Sequence, residues 1–130
     1  MRHSKARAHE LFQLTYYDSI DRGDIPGAVS ALHPDVVWWH AQVWKRHEFG
    51  LPASERLEGK AAVEGLLDGL RDNLGKAGIR HQVRDMAFEP ETSKGAFLGA
   101  VVGSDGTEAP FLAWFELKDD RIYRYTIRPL

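Results

Sequence analysis

"YYDSIDRGDIPGAVSALHPDVVWWH", Tyr16 to His40, changes backbone state several times within a short run. It begins as the end of a helix. Counting back from Gly23, Ala8, Leu11, Phe12, Tyr16 and Ile20 recur at i, i+3 and i+4, with Thr15 and Ser19 on the same side. That spacing predicts one core-facing helix over 4–22, with Tyr17 one residue off its stripe. Gly23 supplies the stop. Asp24 then caps a second, short helix with Pro26 in its first turn and Ala28, Val29 and Leu32 inward. His33-Pro34 ends it, because the residue before proline avoids the α region. From Asp35 to Val43 the β-branched and aromatic content predicts a strand.

Downstream, "WKRHEFGLPASERLEG", from Trp44, reads as a loop of unusual length, the kind that is often functional. Val63, Leu66, Leu67, Leu70 and Leu74 predict a third helix over 60–74, closed by Gly75 and Gly78. Four strands follow, 79–88, 96–102, 107–117 and 121–128, joined by the turns "PETSKG", "GSDG" and "KDD". Gly99, inside a strand, is expected to mark a bulge. Three helices mostly ahead of antiparallel hairpins make an α+β chain, a single domain over 1–130 with helices on one face of a curled sheet.

Composition narrows the function. A formal net charge of −2 offers no basic field for nucleic acid. No apolar run is long enough to span a membrane, and the basic N-terminus leads into no signal-like apolar segment. The chain contains no cysteine, which excludes disulfides and thiolate chemistry and makes the cytoplasm the expected compartment. No histidine or carboxylate spacing suits a metal, and the glycines form no phosphate cradle, so neither metal nor cofactor is expected.

Order and spacing of these elements resemble the nuclear transport factor 2-like superfamily, which includes ketosteroid isomerases, limonene epoxide hydrolases, scytalone dehydratases and SnoaL-like polyketide cyclases. The resemblance runs through three stretches: Tyr16 to His40; "LEGKAAVEGLLDGL" from Leu57; and "FLAWFELKDDRIYRYTIRP" from Phe111. It implies a cone-shaped (cystatin-like) α+β fold with a pocket in its hollow, and a homodimer built on the outer sheet face, for which Trp39 and Trp114 are the candidates. By position, Tyr16 resembles the isomerases' oxyanion-binding tyrosine and His40 stands where their aspartate base does. Ala113 occupies the place of their second, protonated aspartate. No aspartate lies on 121–128, where polyketide cyclases would suggest one. The Asp-Arg-Asp relay of limonene epoxide hydrolases has no counterpart, whereas the histidine and tyrosine chemistry of scytalone dehydratases is nearer to what this chain carries.

Strand alternation puts Val36, Trp38 and His40 on one face, and Val37, Trp39 and Ala41 on the other. An imidazole beside an indole loses water, which favours its neutral form and makes His40 available as a base. A phenol at Tyr16 can donate to a developing oxyanion. His81 is expected to share a face with Val83 and Asp85, so that either Asp85 orients its ring or "RHQVRD" is a surface ladder of solvated charges. His47, in the long loop, could cap the pocket mouth but is expected simply to be exposed, and His3 and His9 are expected in solvent. Tyr123, Tyr125 and Ile127 are taken as the inward face of the last strand, and Ala113 as leaving room between Phe111 and Phe115.

The expected site therefore has His40 and Tyr16 as catalytic residues, lined for substrate by Phe12, Trp38, Leu66, Leu70, His81, Ala113, Phe115 and Tyr125. Its expected partner is a small apolar, oxygenated molecule, polyketide- or terpenoid-like, undergoing isomerisation, cyclisation or dehydration. The competing reading is a non-catalytic module of the same fold that binds a hydrophobic ligand or a partner.

Overall fold

The computed structural model describes residues 2–43 and 54–130. The first helical rod has three consecutive parts: α1 (Lys5–Glu10), a π-helical segment (Leu11–Tyr17) and α2 (Asp18–Asp21). Ser4 caps it, its side chain accepting from the Arg7 N–H. α3 (Ile25–Val29) follows, capped by Asp24, whose Oδ1 accepts from the Gly27 N–H at 3.0 Å. Then come β1 (Leu32–Ala41), β2 (Ser54–Glu58), α4 (Lys60–Ala77), β3 (Arg80–Glu89), β4 (Lys94–Val102), β5 (Glu108–Lys118) and β6 (Arg121–Pro129). α4 ends on Gly78, which takes the left-handed conformation at φ 65° that glycine adopts without a Cβ clash.

The six strands form one sheet in the order β2-β1-β6-β5-β4-β3. All neighbours are antiparallel except β1 and β6, which run parallel. The sheet curls around the helices, the α+β arrangement expected. Two features differ from the sequence reading. The parallel β1–β6 pair has no hairpin to announce it. β2 lies within the stretch read as loop, and its Ser-Glu-Arg-Leu-Glu sequence is charged and poor in β-branched residues, as suits an end strand. His47 and the rest of 44–53 fall outside the described residues. Among the described residues no helix is long and apolar enough to cross a membrane.

The core lies between the rod and the concave face. Phe12 is fully buried, its ring 4.7 Å from that of Phe115, 5.0 Å from Phe97 and 5.6 Å from Tyr125. On β4, Gly95 and Gly99 sit opposite Phe115 and Phe111. A Cβ at Gly99 would stand 2.6 Å from the Phe111 ring and 2.7 Å from the Gln82 carbonyl oxygen, so phenyl rings cover the glycines as they cross the strand. The bulge expected at Gly99 lies instead on the facing strand, between Val83 and Asp85.

Three further expectations change. Tyr17 is buried, because the π-helical turn takes up an extra residue and rotates both Tyr16 and Tyr17 inward. Tyr123 faces outward: an irregularity in the β5–β6 ladder near Leu117 turns Ile122 inward in its place. Neither His33 nor His3 is as read. His33 lies in β1 and does not terminate a helix; it accepts from the Asp35 N–H and meets Asp119 at 3.2 Å. His3 is buried, accepting from the Asp120 N–H and bonded to Ser93. Short polar segments predict turns and exposure, but both rings are drawn inward by backbone N–H groups distant in sequence or at a strand end.

Candidate active site

Inside the curl lies a cavity that opens to solvent at its mouth. Every layer contributes. Tyr16, Tyr17 and Ile20 come from the rod, Trp38 and His40 from β1, Leu67 and Leu70 from α4, His81 from β3, Val101 from β4 and Tyr125 from β6. The apolar majority follows from position: these residues sit on concave or core-facing sides, where burial of hydrocarbon stabilises the fold. The polar minority is what can do chemistry.

His40 stacks on Trp38, ring centroids 5.0 Å apart and planes 10° from parallel. Both side chains leave β1 on its inner face, two residues apart, as the strand period requires. Burial pushes the His40 pKa down from 6.5 to about 4, and the nearby His81 and Arg128 add to the effect. At neutral pH this ring is uncharged.

Tyr16 accepts a hydrogen bond from the Trp38 indole N–H at 2.8 Å. Burial pushes its phenol pKa up, against the smaller opposing effect of that bond. The hydroxyl therefore keeps its proton and can donate it. The Trp38 N–H, by donating to the same oxygen, strengthens it as a donor. Tyr17 and Tyr125 form a second pair, hydroxyl to hydroxyl at 2.8 Å. Burial raises both their pKa values. One hydroxyl of the pair donates to the other, which leaves one proton to point elsewhere.

His81 has its ring held by an aspartate and a stacked phenol. Its Nδ1 lies 2.6 Å from Asp21 Oδ1, and its backbone N–H donates to Asp21 Oδ2, also at 2.6 Å. A carboxylate only accepts, so Nδ1 carries a proton, and in the neutral ring the lone pair is therefore on Nε2. Tyr17 stacks on the imidazole at 4.9 Å and 12°. Asp85, the expected partner, is exposed: the bulge at Arg84 breaks the alternation and turns it to the other face. Asp21 was not anticipated. One signal was present in the sequence, for a carboxylate in the last turn of a helix opposes the helix dipole and invites another explanation.

Of the residues expected at the site, His40, Tyr16, Trp38, Leu70, His81 and Tyr125 border the cavity. Phe12, Phe115, Ala113 and Leu66 do not. Phe12 and Phe115 pack behind the tyrosines. The space expected above Ala113 is filled by Phe97, directly across on β4, whose ring lies 6.1 Å from Phe111 and 6.0 Å from Phe115. Leu66 is half-buried against the core beside Leu67. Among the described residues no three histidine or carboxylate side chains converge into a metal ligand set.

With this geometry in place, the chain can be set beside known proteins. A family model described as SnoaL-like domain matches residues 14–125. A protein of unknown function with a cystatin-like fold from Methylobium petroleophilum superposes with a TM-score of 0.73 at 14% identity, over 99% of this chain and 79% of that one. An LEH-like epoxide hydrolase from M. tuberculosis gives 0.65 at 15%, over 96% and 84%. A protein provisionally named a polyketide cyclase, from Sinorhizobium meliloti, gives 0.62 at 18%, over 88% and 90%. The cone-shaped, nuclear transport factor 2-like fold is thus the fold of this chain. At these identities the neighbours share a scaffold, and the chemistry must be argued from the site. Among curated proteins none matches in sequence.

Proposed function

The chain belongs to the SnoaL-like domain family, and from that premise we propose that it is a cofactor-independent acid/base enzyme acting on a small, apolar, oxygenated molecule. The carrying observation is the His81–Asp21 pair at a cavity that also holds His40 and phenol donors. Nε2 of His81 takes a proton from a carbon next to a carbonyl. The negative charge that develops on the carbonyl oxygen is met by the Tyr16 hydroxyl, and the Tyr17–Tyr125 pair offers a second donor. Position along β1 had pointed to His40 as the base. A base works best with a pKa near the operating pH, and burial holds His40 near 4. His40 is better suited to hold a second oxygen as a neutral imidazole, and to relay a proton rather than keep one. Isomerisation, cyclisation and dehydration of polyketide- or terpenoid-like molecules all begin with this step. The same reading places the reaction in the cytoplasm, since the chain has no cysteine to demand an oxidising compartment.

The test works without identifying a product. A panel of neutral cyclic ketones and phenolic diketones is incubated with the protein in D2O, and loss of the C–H signal next to the carbonyl is followed by NMR. Exchange faster than in buffer is expected, slowed about 10²- to 10³-fold in Tyr16→Phe, the cost of losing one oxyanion donor. Binding without any exchange across the panel would assign the cavity to ligand carriage instead.

Outside the curl, Trp39, Thr126 and Trp114 stand in one row across β1, β6 and β5, with Leu98, Leu112 and Arg128 in another. Both tryptophans and both leucines are more than 40% exposed, and exposed apolar side chains gathered on one face are what interaction surfaces show. We propose that this face pairs with a second copy, a two-fold contact in which each patch meets its equal. Light scattering should give twice the 14.7 kDa chain mass, and Trp114→Arg should return it to one. A monomeric wild-type chain at micromolar concentration contradicts the pairing.

A further inference from the structure

Among the described residues β3 is an end strand, so one row of its backbone groups has no strand beside it there. Over 81–83 that row is occupied by side chains of the first helical rod. The His81 N–H donates to Asp21 Oδ2 at 2.6 Å. Its carbonyl accepts from Gln13 Nε2 at 2.9 Å, and the Val83 N–H donates to Gln13 Oε1 at 2.7 Å. The other partner of Gln13 Nε2 is Asp18 Oδ1 at 3.0 Å. A carboxamide has one carbonyl oxygen and two N–H groups. Here the oxygen faces an N–H, and the nitrogen faces a carbonyl and a carboxylate. Gln13 thus takes the place that a peptide group of a seventh strand would occupy.

The π-helical segment makes this possible. An α-helix turns about 100° per residue, so positions 13 and 21, eight apart, would lie about 80° apart around it. A π turn absorbs one residue and restores the equivalent of a seven-residue spacing, about 20° from alignment. The i+5 bond from the Asp18 N–H to the Gln13 carbonyl marks the turn. On the β3 side the ladder to β4 breaks directly after Val83. Up to Val83 that ladder is regular, so His81 is held between β4 on its inner side and the clamp from the helix on its outer side.

We propose that Gln13 is a positioning residue for His81: by holding the β3 edge on both sides of residue 82 it keeps the imidazole against Asp21 in a single tautomer, with Nε2 free. Its functional weight rests on His81 being the base, but its test requires no substrate. Long-range proton–nitrogen NMR reads the two ring nitrogens of His81, with His40 as an internal control across the cavity. In wild type the His81 nitrogens are well separated, as one tautomer demands. In Gln13→Met, which keeps side-chain length and removes every polar contact, they converge by at least about half as the second tautomer becomes populated, while the His40 nitrogens stay put. Gln13→Glu keeps the acceptor for the Val83 N–H but loses the donor to the His81 carbonyl, and shifts them in the same direction.

A folded Gln13→Met with unchanged His81 nitrogens overturns the proposal and leaves Gln13 as a seal on the strand edge; such a role would lower the unfolding midpoint without moving the tautomer. If neither variant folds, side-chain amide exchange in wild type decides. Gln13 protons exchanging as slowly as the His81 backbone N–H support the clamp, and exchange at the rate of a free amide overturns it. Failure of the functional reading looks different: His81 locked in one tautomer, in a protein whose turnover does not depend on Asp21.

Discussion

Asp21→Asn leaves the fold intact and lowers turnover of a cavity substrate by about 10³- to 10⁴-fold. Asparagine keeps an oxygen for the His81 backbone N–H, which donates to Oδ2 in the wild type. At the ring it presents an N–H₂ group, which donates. Nδ1 must then accept, the imidazole proton moves to Nε2, and the atom facing the cavity loses its lone pair. The ring stays where Tyr17 stacks on it, 4.9 Å away, so the defect is one of protonation rather than position. The drop falls on kcat more than on KM, because the interaction lost matters in the transition state. Turnover within threefold of wild type moves the base off His81. A kcat of wild-type size in His81→Ala would do the same.

The largest effect on stability belongs to Phe12→Ala. The ring is fully buried, and Tyr17, Phe97, Phe115 and Tyr125 all pack within 6.2 Å of it, centroid to centroid. Removing a phenyl from such a site costs about 3–5 kcal/mol, the transfer contribution plus the cavity left behind. For a chain of this size that lowers the thermal midpoint by roughly 10–20 °C. The change also removes the support of the Tyr17–Tyr125 pair, so the variant should lose donor geometry in the cavity even below its midpoint. Calorimetry checks the first effect. A shift of only about 2–3 °C would place the ring outside a packed core.

Sequence spacing revealed the helices, most strands and the inward face of β1, because apolar repeats of 3.6 and 2 report directly on which side is buried. It missed features that act by a single residue of register. The π turn brought Tyr17 inward, the bulge at Arg84 turned Asp85 outward, and the irregular β5–β6 pairing exchanged Tyr123 for Ile122. Each is a one-residue insertion into a regular pattern, and the pattern on either side remains intact. Partnerships across the fold were harder still. Asp21 and His81 are sixty positions apart, and only the approach of the rod to the free edge of β3 joins them. His40 and Tyr16 could be placed at the hollow because they belong to the opening helix–strand unit. Phe12, Phe115, Ala113 and Leu66 share inward faces with true lining residues, and periodicity alone does not separate cavity wall from packed core.

His40 links the fold to the chemistry most tightly. Its pKa is lowered in the folded chain from 6.5 to about 4. Between those values the unfolded chain binds a proton that the folded chain does not. Stability is therefore full above about 6.5 and is lost as the pH falls toward 4. A side chain in open water would contribute nothing of the kind. The decisive measurement is an NMR titration of the His40 ring in the folded protein, assigned by comparison with His40→Gln. A midpoint near 4 places the imidazole against the indole, largely withdrawn from water, beside the His81–Asp21 pair. A midpoint at the unperturbed value of 6.5 puts the ring in bulk water and removes the site from the hollow of the fold.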